Sequence, residues 1–452
     1  MSREVFVIVN EELFEGLPEQ HAPEKTRGLP RLQEARRDQV ELRAVDLDGL
    51  VAAEDPVRSV WAFVETLDLS ALYAAIEARE GEPGRAPIDP KILMALWLWA
   101  TLRGVGSGRE VERLCEREVT FQWLCGGVSV NYHTLSDFRV AHEGLLDRLL
   151  SEGVASLVEA GLVKLDRVAL DGIRVRASAG SGSFRRRGKL SELLSAAHGL
   201  VRRLRRELDD DPGAGKRRRE AAEKRAAAER LARLEAARAR LAALEAERAR
   251  RAKTNRNQVK KQGEPRVSTT DPEARVMKMA DGGFRPAYNG QIASEPVSGV
   301  VLGVGVDTTG SDRGLLQPML ERLKARYGIF PAQVLADGGF VCNDDVEWAA
   351  QAGTAVFMPL PKSKHGRDPH QPRAKDGPGV AAWRGRMASE EGKQIYRQRG
   401  LAERVHAVMR HHGLTRLTVR GSAKARIVLL WHALAHNLQC LLRLRRTAAQ
   451  PA

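Results

Sequence analysis

Residues Leu162–Ala177 read LVKLDRVALDGIRVRA. Val163, Leu165, Ile173 and Val175 share one parity and Val168 and Leu170 the other, so the period of two predicts a buried strand with apolar side chains on both faces. That strand carries a carboxylate, Asp171, in its latter half. The sequence on either side is of a different kind, and the change of period sets the organisation of the chain.

Upstream, from Val60 to Leu162, the pattern is helical. SVWAFVETLDLSALYAAIEAREG reads as an amphipathic helix pair, and DPKILMALWLWATLRG starts on an acidic N-cap candidate and ends at Gly104. SGREVERLCEREVTFQWLCGG and NYHTLSDFRVAHEGLLDRLLSEGVASLVEAG follow as short helices with Gly-containing turns, which predicts an all-α, helix-turn-helix-like module. Arg103, Arg109, Arg113 and Arg139 are its expected phosphate or base contacts, whereas Trp97, Trp123 and Phe138 are expected in its core.

Downstream of the strand, SAGSGSFRRRGKL leads into a long stretch rich in Ala, Arg, Glu and Leu. Leu231, Leu234, Leu241 and Leu244 repeat at 3-7-3 spacing, a heptad-like seam on a long helix. Arg185 to Lys261 holds 25 Lys and Arg against 11 Asp and Glu, so this insertion carries nearly all of the formal charge of +15. A dimerising coiled coil, a DNA-tracking helix and a helical hairpin folded on itself all fit the pattern.

Strand signals return from Arg285 in RPAYNGQIASEPVSGVVLGVGVDTTG, two runs joined by a short connection that suits a hairpin. SDRGLLQPMLERLKARYG follows as a helix capped by Ser311 or Asp312 and closed by Gly328. PAQVLADGGF is a short strand delivering Asp337 into a Gly-Gly turn, NDDVEWAAQAG a helix and TAVFMPL a strand. Residues from Pro361 to about Arg384 read as a polar, mobile loop, and SAKARIVLLWHALAHNLQCLLRLRR as a buried terminal helix. Between them, YRQRGLAERVHAVMRHHGL places Tyr396, Arg399, Glu403 and Arg410 on one stripe if it is a single helix.

Three antiparallel strands followed by alternating helix and strand describe an α/β sheet of the ribonuclease H type. There the first and fourth strands are neighbours, so Asp171 and Asp337 converge, and a helix over the sheet adds Glu403. Three such carboxylates are hard oxygen ligands suited to two Mg²⁺ or Mn²⁺ ions, which serve in-line phosphoryl transfer. No Walker loop or GxGxxG points to a nucleotide cofactor.

The chain also resembles the DDE transposases of bacterial insertion sequences, in particular the group with a Tyr-x2-Arg-x3-Glu-x6-Lys signature. The blocks that carry the resemblance are DPKILMALWLWATLRGVGSGREVERLCE and HTLSDFRVAH in the helical part. VALDGIRVRASAGSGSFRR, GGFRPAYNGQIA, LADGGF and TVRGSAKARIVLLWHALAHN carry it in the catalytic part. The resemblance implies that Asp171, Asp337 and Glu403 are the metal-binding catalytic triad, and that Tyr396 and Arg399 sit beside the reacting DNA end. Arg410 stands where the signature has Lys, a planar fork in place of a point charge, and Lys424 is the alternative cation. The implied activity is binding of terminal inverted repeats, then metal-dependent strand cleavage and transfer into target DNA by a working homodimer. The competing expectation is an inactive, transposase-derived DNA-binding protein.

Other acids compete for these roles. Asp166, Asp281, Asp307, Asp312 and Asp344 also lie near predicted strand ends or turns; Asp307 and Asp312 read more simply as a strand-end residue and a helix cap. Asp166 alternates to the side of the strand opposite Asp171. His432 and His436 are spaced i, i+4 without an HExxH glutamate and are expected in the core.

Composition agrees with this outline. A chain of 452 residues, 43% apolar, buries sizeable cores, and pI near 10.0 points to a polyanionic partner, nucleic acid first and an anionic membrane surface second. The Met1 end lacks a basic start followed by an apolar run, and no stretch of 18 apolar residues occurs, so no membrane association is expected. Cys115, Cys125, Cys342 and Cys440 form no CxxC pair, which fits a reducing, bacterial cytoplasm. The expected layout is an N-terminal segment 1–59, a helical DNA-binding domain 60–162, a ribonuclease H-like catalytic domain 163–183 and 263–446, and a basic helical insertion 184–262.

Overall fold

The computed structural model describes residues 44, 46–78, 86–210, 217–254, 263–362 and 366–449. The Met1 end and the last residues of the expected insertion, 255–262, lie outside them. The predicted strand is β1, Arg167–Arg176. It pairs antiparallel with β5 (Phe284–Ser294) on one side and parallel with β7 (Gln333–Ala336) on the other. β6 (Val301–Asp307) and β4 (Arg275–Lys278) share the far edge of β5, and β8 (Ala355–Phe357) extends the sheet beyond β7 in parallel. β1 contributes to two cores: Ile173 and Val175 belong to one apolar cluster, Val168, Ala169 and Leu170 to the other.

Helices cover both faces. α1 (Pro56–Glu65) and α3 (Pro90–Leu102) each start on an Asp-Pro pair, in which the Asp side chain accepts the N–H two residues on and Pro occupies the first turn. α2 (Ser70–Ala74), α4 (Gly108–Arg117), α5 (Val119–Cys125), α6 (Tyr132–Ala141) and α7 (Glu143–Glu159) complete the N-terminal helices. α3 is buried all round, as its uniformly apolar sequence requires. These helices share one apolar cluster with the sheet and the C-terminal helix, so residues from Asp46 on form one compact unit. Gly413, at φ +85°, lies against Gly104, where a Cβ would fall 2.8 Å from the Gly104 carbonyl oxygen.

The basic insertion is a helical hairpin. α8 (Arg187–Asp210) and α9 (Arg217–Thr254) run antiparallel, as the pairs Arg187–Glu245 and His198–Glu235 show. Leu234 and Leu241 of the heptad-like seam bury against Leu190, Leu194 and Ala197 of α8. At its base, β2 (Phe184–Arg185) pairs with β3 (Val267–Ser268), and Arg240 donates to the Thr308 hydroxyl at the end of β6 (2.9 Å).

α10 (Leu316–Tyr327), α11 (Asn343–Gln351), α12 (Pro378–Ala388), α13 (Glu390–Arg397), α14 (Gly400–His411) and α15 (Ser422–Ala449) follow. Three expectations are corrected here. α10 begins after Leu315, which makes no side-chain cap, so neither Ser311 nor Asp312 caps it. α12 occupies part of the stretch expected to be loop: Gly377 and Pro378 start a helix whose Trp383 is fully buried. The Tyr396-to-Arg410 stripe is split by a tight junction at Gln398 and Arg399, so Tyr396 rides on α13 and Glu403 on α14. α15 is apolar and long enough to cross a membrane by composition, but 67% of its apolar window is buried inside the protein, the mark of a core helix.

Arg139 is a further correction. Instead of facing solvent it is buried (7% exposed), 4.6 Å over the Trp97 ring, and it donates to the Gly106 carbonyl and the Thr418 hydroxyl. It therefore joins the N-terminal helices to the segment before α15 and is unavailable to a phosphate. Arg139→Ala is expected to lower the free energy of unfolding by about 3 kcal/mol, because carbonyl and hydroxyl groups lose a buried charged donor. Arg113→Ala, which removes only an exposed pair with Glu110, should leave the same urea titration nearly unchanged.

Candidate active site

The parallel register of β1 and β7 ends with Leu170 opposite Ala336. Asp171 and Asp337 are the next residues on each strand, so the pairing delivers them side by side. Asp337 leaves the sheet as the N-cap of a short 3₁₀ turn, Gly338–Phe340, and its Oδ1 accepts the Gly339 N–H at 2.8 Å. Asp171 stays in β1, its side chain 14% exposed. Glu403 comes from the first turn of α14, a helix packed over β1.

Arg399 ties the acids together. Its guanidinium donates to Glu403 Oε1 at 3.0 Å and lies 3.7 Å from Asp171 Oδ2. The Tyr396 ring packs beside it on the second apolar cluster. His406, one turn beyond Glu403, places Nδ1 3.4 Å from Asp171 Oδ2, while its Nε2 has no partner. Burial, with the nearby charges of Arg410 and Arg399, pushes His406 down to about 4, so the ring is neutral near pH 7.

Burial pushes the Asp171 carboxyl up to about 6. Arg399 opposes that shift, and the neighbouring charges of Asp337 and Asp312 reinforce it. Anions gathered in a half-dry place favour any cation that enters, and oxygen donors of this kind suit a hard divalent ion. The residues therefore fit such an ion, although among the described residues no group of three His, Cys, Asp or Glu side chains is gathered tightly enough to hold one as it stands. Glu403 is the outlying member: its side chain is 65% exposed and turned to Arg399.

Asp171, Glu403, His406 and Arg410 line a cleft of about 900 Å³. Its other walls supply Arg174, Arg176, Lys278 and Arg285, a cationic rim around an acidic floor. Arg410 is thus placed beside the acids, whereas Lys424, at the start of α15, does not line the cleft. Among the competing acids, Asp166 is exposed, Asp281 pairs with Arg285 in the β4–β5 turn, Asp307 caps the Thr309 N–H, and Asp344 sits in the first turn of α11. Asp281 also lines the cleft, and Asp312 is the one of these five whose charge bears on Asp171, a position that sequence reasoning missed because an Asp before a helix reads as a cap.

The remaining expected DNA contacts lie elsewhere. Arg103, Arg109 and Arg113 are exposed on the N-terminal helices; Arg103 stacks on Trp99, Arg109 on Tyr132, and Arg113 pairs with Glu110. His432 and His436 are buried in α15, with His436 Nε2 2.9 Å from the Gly299 carbonyl.

Comparison with known families agrees with this architecture. The family described as Transposase DDE domain matches residues 247–438, and the one described as Transposase domain (DUF772) matches residues 45–141. The chain belongs to the DDE transposases of insertion-sequence type. Membership implies a ribonuclease H-like fold for the sheet. The DDE match contains Asp337 and Glu403, while Asp171 lies before it, in the strand that pairs with β7. No curated protein and no solved structure matches the chain.

The raised carboxyl gives this transposase a signature in its stability. Because the folded state holds the Asp171 proton more tightly than the unfolded chain does, that stabilisation is complete below about pH 4 and is lost as pH rises through 6. In EDTA, the wild type should lose on the order of 2–3 kcal/mol relative to Asp171→Asn between pH 4 and pH 7. Parallel stability curves for the two proteins would show that Asp171 titrates normally.

Proposed function

We propose that the chain binds the ends of its insertion element and catalyses divalent-metal-dependent DNA strand cleavage and strand transfer, with Asp171, Asp337 and Glu403 as metal ligands. The observation that carries this reading is the pairing of adjacent parallel strands that brings Asp171 and Asp337 together beside Arg399, which also pairs with Glu403 at the edge of a cation-rimmed cleft. Two bound Mg²⁺ or Mn²⁺ ions would supply activation of the attacking oxygen and stabilisation of the leaving oxygen.

The chain's own residues do the rest. Arg174, Arg176, Lys278, Arg285 and Arg410 hold the phosphodiester backbone against the acidic floor. Arg399 and Tyr396 orient the reacting end: the guanidinium, which now faces the carboxylates, has the bidentate geometry that would suit a phosphate were it to turn there. His406 holds Asp171 in place from the side. Exposed Arg103, Arg109 and Arg113 contact the terminal repeat, and two chains pair two DNA ends.

A second reading, an inactive DNA-binding protein, draws on Glu403, which is turned outward to Arg399. Strand cleavage on a DNA duplex carrying the element's terminal repeat separates the two. The wild type should cut with Mg²⁺ and stop in EDTA. Asp337→Ala should cut more than about a hundredfold more slowly, beyond the 10–100-fold typical of outer-shell partners, and still shift the DNA in a gel. Binding without cleavage in the wild type supports the second reading, and full cleavage by Asp337→Ala overturns the first.

A further inference from the structure

Asp312 is buried (6% exposed) in the turn between β6 and α10. Its Oδ1 accepts two amide N–H groups from β5, Asn289 Nδ2 and Gln291 Nε2, each at 2.7 Å. A carboxylate gripped in this way cannot swing to a helix end. Its position is defined by two glycines, each close to a proposed ligand. A Cβ on Gly172, next to Asp171, would fall 2.5 Å from Asp312 Oδ1. A Cβ on Gly339 would fall 3.3 Å from Asp312 Oδ2 and 2.9 Å from Asp337 Oδ1, so both oxygens flank one point. Asp312 thus sits between Gly172 of β1 and the turn that begins at Asp337, and glycines at 172 and 339 leave it room.

A buried anion beside two half-buried ones is costly unless a cation answers it. Arg174, 3.6 Å from Oδ2 and 30% exposed, is the one cation paired with Asp312 among the described residues. A second observation points to a ligand. Asn289 is fully buried, its Oδ1 has no hydrogen-bond partner, and that oxygen lies with Asp312 Oδ1 beside Gly172, 3.1 Å from where a Cβ there would fall. Because Nδ2 is engaged by Asp312, the amide orientation is fixed and the orphaned atom is an acceptor.

We propose that Asp312 is a fourth acidic member of the divalent-cation site, held by Asn289 and Gln291, with Asn289 Oδ1 as a neutral oxygen donor beside it. The inference rests on the reading that Asp171 and Asp337 bind the ion. It differs from a structural role in the sign of its consequences. A structural Asp312 would stabilise the fold and leave metal affinity alone, whereas a ligand carboxylate repels its neighbours until an ion binds.

The test is Mn²⁺ binding to the full chain without DNA, followed by electron paramagnetic resonance, with thermal unfolding in EDTA alongside. Asp312→Asn should weaken Mn²⁺ binding about tenfold or more while its melting temperature in EDTA stays level or rises. Asp307→Asn, a neighbouring strand-end acid outside the cleft, should bind as the wild type does. Equal Mn²⁺ affinity in Asp312→Asn and wild type overturns the proposal. If Asp312→Asn does not fold, Asn289→Leu reports instead: at least about threefold weaker binding supports the donor set, and unchanged binding overturns it. A wild type whose Mn²⁺ binding is indifferent to Asp171→Ala would instead refute the underlying metal reading.

Discussion

The parallel pairing of β1 with β7 is the constraint on which the site depends. Asp171 and Asp337 are separated by the helical hairpin, strands β2 to β6 and helix α10, yet the register of four residue pairs sets them next to each other. A slip of one residue would turn one carboxylate to the other face of the sheet. Apolar side chains along β1 oppose such a slip, because Val168 and Leu170 are buried in one core and Ile173 and Val175 in the other. The packing that makes the sheet stable is therefore also what aims the acids.

Charge then organises what the strands bring together. Asp171, Asp312 and Asp337 crowd one end of the sheet, and the raised carboxyl of Asp171 is the direct expression of that crowding combined with burial. Arg399 relieves part of it by bridging Asp171 and Glu403, and His406 closes the other side as a neutral ring. A divalent ion entering the proposed site would compete with Arg399 for the same oxygens, and by reciprocity whatever drew the guanidinium away would favour the ion.

The sheet and its two strand-borne acids were legible in the sequence because a period of two, a hairpin connection and an Asp-Gly-Gly turn are local signals. Helix starts at Asp55-Pro56 and Asp89-Pro90 are equally local, and the seam on α9 showed a helix that buries one stripe. What lay beyond reach depended on long-range contacts. Arg139 reads as a surface cation because nothing nearby in sequence reveals Trp97 above it or Thr418 beyond it. Asp312 reads as a cap because the two amides that turn it inward come from another strand. The split at Gln398 and Arg399 hides inside a helical period, and a Gly-Pro pair that opens α12 resembles the loop before it.

The central claim is that Asp171 and Asp337 serve one cation because β1 and β7 pair as they do. Fe²⁺ loaded in place of Mg²⁺, with ascorbate and peroxide, cuts a polypeptide wherever the chain approaches the ion, and mapping the fragments of the full chain reads the site directly. The account predicts paired cuts near Asp171 and near Asp337, both suppressed by excess Mg²⁺ and both lost when either acid is replaced by Asn. Cuts at only one of the two, or loss in each variant of its own cut alone, would contradict a shared site.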